Sequence, residues 1–277
     1  MENIMKDYVG RNQEILNIWK AKFPQEIREK FAEDGIMNKG EFCSGDNDEV
    51  FKNSGNENEL WNVAPLRVLF LTKDENLYED EITVWDVKKE TFHQRGTRSN
   101  QNIISNSTFY RNEANILYGI LNTRVDNMIC FHEFSREDAL KFSDEVVFAR
   151  INCKKEGGGG TISDVELQNA IEKYFDDLKD QILELDADII ICCGHQQEKN
   201  VILNALYKIY PDEFKYIGLG FGKGTGLHYN ENRNKLAIDA YHLAYLTGGE
   251  ELRYYEVVGA YYEFLKQYPD FVNSHRK

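Results

Sequence analysis

The sequence lacks any apolar run that approaches the roughly 20 residues needed to span a bilayer. Its first segment, MENIMKDYVGRNQEI, is charged and lacks the apolar core of a signal peptide. We therefore expect no membrane partner and no export. The chain has ample material for a packed core, because 42% of its 277 residues are hydrophobic and 13% are aromatic. Its length permits one large domain or two small ones.

Cysteine is also sparse, and no two cysteines form a C-x-x-C pair. The odd number of cysteines argues against a disulfide framework, and their spacing argues against a zinc site or a four-cysteine iron–sulfur cluster. A reducing, cytoplasmic location fits this usage best. The five positions are Cys43, Cys130, Cys153, Cys192 and Cys193.

Positive charge is scarce as well, since the formal net charge is −14 and the pI is near 5.0. This balance argues against an indiscriminate nucleic-acid binder, because phosphate affinity comes largely from Lys and Arg. The acidic residues concentrate in probable helices, whereas several basic residues fall in probable loops. Those loops either share one rim and form a local positive patch, or they carry scattered, solvated side chains. The basic positions are Lys73, Arg95, Arg98, Arg111, Lys154, Lys155 and Lys223.

Four apolar segments of strand length predict the core strands. They are RVLFL (67–71), VVFARIN (146–152), ADIIICC (187–193) and the segment near 236–241. The continuous apolar runs are typical of strands covered on both faces, as in a parallel sheet. FKYIGLGFGKGTG (214–226) predicts a further short strand that runs into a glycine loop.

Helical patterns separate these strands. Residues 3–33 predict two helices broken at Pro24, and further helices are predicted over about 109–121, from a capping box at Ser163 to about residue 184, and over 200–210 and 251–267. The alternation predicts an α/β protein, a three-layer α/β/α fold with a mainly parallel, four-stranded central sheet. We expect residues 1–60 to form a helical and loop extension packed on the core, and 61–277 to form the α/β domain.

Polar residues follow the predicted strands, at the edge where open parallel sheets bind ligands. The first strand leads to Thr72, Lys73, Asp74, Glu75 and Asn76, and the second to Asn152, Lys154 and Lys155. The third leads to Gly194, His195 and Gln196, and the last to Tyr241, His242 and Leu243. A carboxylate, an amide and an imidazole are thereby predicted to emerge from separate strands.

The order of these elements resembles the uracil-DNA glycosylase superfamily over roughly residues 66–248. VLFLTKDEN (68–76) is similar to the family's GQDPY-type motif, FARIN (148–152) to its LLLN strand, DIIICCGHQ (188–196) to its strand–Gly–His segment, and DAYHLAYL (239–246) to its HPS motif. The resemblance implies that Asp74 activates water or stabilises the sugar cation. It also implies that Asn152 reads the base, that His242 stabilises the leaving base, and that Leu243 or Leu246 lies near the DNA-inserting wedge.

Each of these residues has an ordinary structural alternative. Asp74 could instead cap a turn, Asn152 could satisfy turn backbone groups, and His242 could be a hydrogen-bonded polar residue near the core. We interpret His195 either as a structural residue or as one that supports the site residues without contacting the ligand. The glycine loop beside Asn152 favours ligand contact, because it exposes backbone amides.

Other residues are candidates for contacting the nucleotide. Phe109, Tyr110, Tyr241 and Phe221 could stack on a base or could belong to the core. Lys73, Lys154 and Lys155 are the best candidates for phosphate contact.

Three functions therefore stay open. The first is a uracil-DNA glycosylase-like enzyme that hydrolyses the N-glycosidic bond of uracil or another modified base in DNA, with no metal or redox cofactor. The second is a catalytically inactive nucleotide- or nucleic-acid-binding module on the same fold, since Asp74 lacks a following proline and HLA replaces HPS. The third is an enzyme that acts on a free nucleoside or sugar.

Overall fold

The structure is a computed structural model. It describes residues 5–37, 40–44, 49–53, 55–73, 85–86, 107–157, 162–196, 199–219, 225–245 and 247–272. Asp74 lies outside these residues, as do Phe221, Leu246 and the basic residues Arg95, Arg98 and Lys223. The predictions made for these residues stay predictions.

The strands within the described residues are short. They are β1 (Ala32–Glu33), β2 (Gly35–Ile36), β3 (Gly40–Ser44), β4 (Glu49–Asn53), β5 (Val68–Thr72), β6 (Trp85–Asp86), β7 (Ala149–Asn152), β8 (Ile189–Gln196), β9 (Lys199–Asn200), β10 (Lys215–Leu219), β11 (Gly226–Asn230) and β12 (Lys235–Tyr241).

The helices vary more in length. They are α1 (Tyr8–Ala21), α2 (Gln25–Arg28), α3 (Glu57–Val63), α4 (Thr108–Asn122), α5 (Arg136–Glu145), α6 (Asp164–Lys173), α7 (Phe175–Leu185), α8 (Val201–Ile209), α9 (Gly249–Tyr254) and α10 (Ala260–Gln267). A 3₁₀ turn spans Phe131–Glu133, and a π-helical segment, Tyr255–Gly259, joins α9 to α10.

The chain divides into two compact units. The first consists of Met1–Arg98 and Val147–Ala187, and the second of Ser99–Val146 and Asp188–Lys277. Residues 1–60 therefore share a unit with part of the predicted α/β domain.

In the first unit, β5 and β7 are parallel and run in register from Leu69 opposite Ala149 to Thr72 opposite Asn152. Strand β2 pairs antiparallel with β7 on its other side. All five residues of β5 are buried, as the continuous apolar run predicts. The Trp61 side chain of α3 is fully buried and donates its indole N–H to the carbonyl of Leu185 at 3.0 Å.

In the second unit, β8 and β12 are parallel, whereas β11 and then β10 extend from β12 as antiparallel neighbours. Strand β9 pairs antiparallel with the end of β8. The apolar residues of β8, Ile189 to Cys193, are all buried. Helix α4 buries Ala114, Ile116, Leu117 and Ile120, which lie at helical spacing.

These pairings confirm the α/β class and correct the predicted sheet. The four predicted strands are present as β5, β7, β8 and β12, and each unit contains one parallel pair of them. Among the described residues, β10 matches the short strand predicted at the start of residues 214–226, whereas β2, β9 and β11 were not predicted. Eight strands therefore take part rather than the four of the predicted central sheet, and the pairing is mixed. The added strands are short or lie in hairpins, where the hydrophobic pattern carries little information.

The predicted helix start at Ser163 is confirmed, but the single helix predicted to about residue 184 is divided at Tyr174 into α6 and α7. Ser163 accepts a hydrogen bond from the backbone N–H of Glu166, and the Glu166 side chain completes the capping box of α6. The helical pattern predicted up to residue 33 was wrong at its end, because α2 ends at Arg28 and β1 begins at Ala32. The N–H of Ala32 instead donates to the carbonyl of Lys155 at 2.8 Å. No helix in the described part of the chain has the length and apolar character needed to cross a membrane.

Candidate functional site

The ends of β5 and β7 lie side by side in the first unit. Beyond the last strand residues, the N–H of Cys153 donates to the carbonyl of Thr72, and that of Lys154 donates to the carbonyl of Lys73, both at 2.9 Å. The segment that leads to Asp74 therefore lies against the segment that follows Asn152. Two of the four predicted motif ends meet in this way.

The side chain of Asn152 is fully buried and held in a fixed orientation. Its Oδ1 accepts a hydrogen bond from Thr72 Oγ1 at 2.6 Å, and its backbone N–H donates to Asp34 Oδ2 at 2.8 Å. These two contacts fix the orientation of the amide oxygen and of the backbone at the end of β7.

The three lysines predicted to contact phosphate differ in their surroundings. Lys155 has a fully buried side chain, and its Nζ lies 2.5 Å from Asp34 Oδ1. Lys73 is nearly buried, and its Nζ lies 3.5 Å from Asp164 Oδ1. Lys154 is half-buried and donates to the carbonyl of Glu156 at 2.5 Å. As the structure places it, Lys155 is an internal counter-ion, whereas phosphate contact by Lys73 and Lys154 stays a prediction.

A buried polar network surrounds Asp34, and the sequence interpretation missed it. Gln181 Nε2 donates to Asp34 Oδ1 at 2.9 Å and to Asn12 Oδ1 at 3.0 Å, and Asn12 Nδ2 donates to the Asp34 carbonyl at 2.8 Å. A signal was present: Asn12 lies on the buried face of α1 with Tyr8 and Leu16, and Gln181 lies among the buried residues of α7. A polar residue on an apolar helix face requires a buried partner.

In the second unit, a second polar group joins the ends of β8 and β12. His195 Nδ1 lies 3.1 Å from Asp239 Oδ2, and Asn200 Nδ2 donates to Asp239 Oδ1 at 2.6 Å. Burial raises the pKa of Asp239, while hydrogen bonds from Asn200 and His195 oppose the rise. These contacts orient the imidazole ring and agree with a structural interpretation of His195. Sequence reasoning did not identify Asp239 or Asn200.

The glycine that precedes His195 is required by close packing. A Cβ at Gly194 would lie 2.6 Å from Asn200 Oδ1 and 2.9 Å from the Ile202 side chain. Any larger residue would displace Asn200 and so disturb its contact with Asp239. The Gly–His pair of the third motif is therefore explained by the hydrogen bonds that surround it.

His242 lies beside two of the predicted aromatic residues. The ring centroids of His242 and Phe109 are 5.8 Å apart, and those of Phe109 and Tyr110 are 5.4 Å apart. The backbone N–H of Ala244 donates to His242 Nδ1 at 3.3 Å. Because Nδ1 is the acceptor, the proton of the neutral imidazole is on Nε2.

The two neighbours of His242 differ in burial, since Leu243 belongs to the core and Tyr241 is half-buried. Leu243 is buried, so in this conformation it does not extend to the surface as a wedge would. Its carbonyl accepts a hydrogen bond from Asn112 Nδ2 at 2.6 Å, which ties the loop to α4. Tyr241 stacks on Tyr245 with a centroid separation of 4.9 Å, and Arg253 lies 4.3 Å from the Tyr241 centroid.

A small cavity adjoins His242 in the second unit. Its lining includes Asn112, Tyr241, His242, Arg253 and Glu256. Its volume is about 10 Å³, roughly the space that one water molecule needs and too small for a pyrimidine. Asn112 Oδ1 and Arg253 Nε are both buried and have no hydrogen-bond partner among the described residues. Burial raises the pKa of Glu256, although the neighbouring Arg253 opposes this.

Within the described ranges, no group of three His, Cys, Asp or Glu residues is arranged to hold a metal ion. The candidate site residues thus fall into one group in each unit. Lys73, Asn152, Lys154 and Lys155 belong to the first unit, and Phe109, Tyr110 and His242 belong to the second. No protein-family model matches the chain, and no curated protein or solved structure matches it either.

Proposed function

We propose that this protein is a uracil-DNA glycosylase-like enzyme that hydrolyses the N-glycosidic bond of uracil or another modified base in DNA. The order and spacing of the four sequence motifs support the proposal. The structural observation that carries it is the register of β5 and β7, in which Thr72 lies opposite Asn152. This register brings the segment leading to Asp74 next to an amide that is held in one orientation.

The proposed roles follow the chemistry of each side chain. Water adds to C1′ of the sugar as the bond from C1′ to the base nitrogen breaks, and the base leaves with the bonding electron pair. Asp74 activates the water or stabilises the developing sugar cation, and Asn152 reads the edge of the extruded base. His242 donates Nε2–H toward the charge that develops on the base, a form of electrostatic stabilisation.

Stacking and phosphate contact complete the proposal. Phe109 is half-buried and in contact with the His242 ring, so it could cover a base that lies beside His242. Tyr110 packs edge-on against Phe109 and would support it. Lys73 and Lys154, whose backbones are hydrogen-bonded to each other, would supply positive charge near the phosphate.

One observation favours a second candidate, a nucleotide- or nucleic-acid-binding module without catalysis. The cavity beside His242 has room for about one water molecule, so a base cannot enter it in the conformation described. In this alternative, bases stack on Phe109 at the surface and no bond is broken. Binding would then be unchanged by loss of the Asp74 carboxylate.

An assay on single-stranded DNA that contains uracil separates these functions. The parent should create abasic sites, whereas Asp74→Asn and His242→Ala should lower kcat by about 10²-fold or more while still binding DNA. His132→Ala is the matched control, because the His132 side chain is 74% exposed and pairs with Glu251 at the surface. If the parent leaves uracil and other modified bases intact, the enzyme proposal is wrong.

Binding measurements then decide the alternative. A binding module should retain its affinity in Asp74→Asn and lose affinity in Lys154→Ala, with a shallower salt dependence. Lys141→Ala, at an exposed position of α5, is the control for the loss of one positive charge. Absence of binding to every nucleotide and oligonucleotide tested would reject the alternative too.

A further inference from the structure

The carboxylate of Asp34 connects the backbone of Asn152 to a buried ion pair. Its Oδ2 accepts the Asn152 N–H at 2.8 Å, while its Oδ1 lies 2.5 Å from Lys155 Nζ and accepts from Gln181 Nε2 at 2.9 Å. None of these four residues is more than 1% exposed. The two oxygens of Asp34 thus have different partners. Oδ2 binds the backbone of Asn152, and Oδ1 binds the Lys155 ammonium and the Gln181 amide.

Asp34 is itself held firmly by its own segment. Its carbonyl accepts from Asn12 Nδ2 at 2.8 Å, and the following Gly35 pairs with Arg150 of β7. Gly35 has φ +128°, and a Cβ there would lie 2.4 Å from Asn12 Nδ2, so only glycine fits. The backbone on both sides of the Asp34 carboxylate is therefore constrained.

We infer that Asp34 is a positioning residue for Asn152, an inference that rests on the proposed function, in which Asn152 reads the base. Asp34 fixes the backbone of Asn152 and Thr72 fixes its amide oxygen, so the amide has one orientation. A displacement of about 1 Å at a reacting group can cost about 10²-fold in rate. The segment before residue 60 thereby helps to build the end of β7.

Two double variants separate positioning from stability. Asp34→Asn with Lys155→Met keeps an oxygen for the Asn152 N–H and removes the lysine that would lose its counter-ion. Gln181 Oε1 has no hydrogen-bond partner within the described residues, so a rotated Gln181 amide can accept from the introduced amide nitrogen, although it then loses its donation to Asn12 Oδ1. Asp34→Leu with Lys155→Met fills similar space but offers the Asn152 N–H no acceptor. Both variants should fold, because each removes the whole ion pair.

The expected result is a difference between the two double variants. Asp34→Asn/Lys155→Met should retain parental kcat/KM within a few-fold, and Asp34→Leu/Lys155→Met should lose about 10- to 100-fold. Exchange of the Asn152 backbone amide with solvent hydrogen should be faster in the variant with leucine. Asp177→Asn is the control, since it removes the ion pair with Lys22 in the same unit without contacting Asn152.

Equal activity and equal amide exchange in the two double variants would overturn the inference. If the parent shows no activity on any base, the proposed function fails, and amide exchange alone decides the inference. Faster exchange with leucine at position 34 would then still support the assigned contact, and equal exchange would reject it.

Discussion

The side chain of Asn200 donates to the Asp239 carboxylate at 2.6 Å while its own oxygen caps a helix. Asn200 Oδ1 accepts from the N–H groups of Ile202 and Leu203, at 3.0 and 3.1 Å, at the start of α8. Asn200 Nδ2 also donates a hydrogen bond to the carbonyl of Cys192 at 2.8 Å. One buried amide therefore joins the end of β8, the carboxylate of β12 and the helix that follows.

We predict that Asn200→Ala lowers the free energy of unfolding by about 2–4 kcal/mol. Loss of the helix cap costs about 1 kcal/mol. Leaving the buried Asp239 carboxylate without the Asn200 donor costs about a further 1–3 kcal/mol. Urea denaturation would measure the change. The control is Ser163→Ala, which removes the exposed cap of α6 alone and should cost about 1 kcal/mol. Equal costs for the two variants would contradict the assigned role of Asn200.

His228 predicts a pH dependence of stability. Burial lowers the pKa of His228 from 6.5 to about 4, and its Nδ1 lies 2.6 Å from Tyr207 Oη. Because the folded-state pKa is lowered, the contribution of neutral His228 is complete above pH 6.5 and is lost as the pH falls toward 4. The free energy of unfolding should fall by about 3 kcal/mol in total, because each unit of difference between the folded and unfolded pKa is worth about 1.4 kcal/mol.

Urea denaturation between pH 7 and pH 4 would test this, with His228→Gln as the variant. The variant should show a smaller loss of stability over that range than the parent, while the surface control His132→Gln should follow the parent. An NMR titration that placed the pKa of His228 near 6.5 would show that the imidazole is not buried as described.

The Asp34–Lys155 pair predicts strongly non-additive stability effects. Asp34→Ala leaves a buried ammonium without its carboxylate and should cost about 3–5 kcal/mol. Asp34→Leu/Lys155→Met should cost less than Asp34→Ala, since it removes both charges, and its remaining cost of about 1–3 kcal/mol comes from the Asn152 N–H that loses its acceptor. Measured free energies of unfolding that add for the two positions would show that the two charges do not interact.

The stacking role of Phe109 can be tested by affinity. Phe109→Ala should weaken the binding of single-stranded DNA about 5- to 150-fold, because stacking on an aromatic ring is worth about 1–3 kcal/mol per base. Phe109→Tyr retains an aromatic ring and should bind as the parent does. Fluorescence anisotropy would measure both, and equal affinity of the alanine and tyrosine variants would exclude stacking on Phe109.

The sequence allowed prediction of those elements that have a strong local pattern. The apolar run RVLFL (67–71) corresponds to β5, and the capping box at Ser163 and Glu166 corresponds to the start of α6. Strand β10 was predicted, but β2 and β11 were not, because β2 has two residues and β11 contains glycine and polar residues. Their pairing depends on tertiary contacts that no local pattern records.

The site was predictable only in part for the same reason. Strand ends indicated Asn152 and His242, but Asp34 contacts Asn152 across 118 residues of sequence. Asp34 precedes Gly35, a dipeptide that is typical of a turn and gives no sign of a buried carboxylate. Lys155 was predicted to contact phosphate for the same reason, since nothing near it in the sequence indicates that it pairs with Asp34.

The most direct test of the proposed function is the mass of a single-stranded oligonucleotide with one uracil after incubation with the parent protein. The account predicts that the strand loses the base, gains a hydroxyl group at C1′ and keeps its backbone intact. An unchanged mass, with uracil and with a panel of other modified bases, would contradict the proposed hydrolysis.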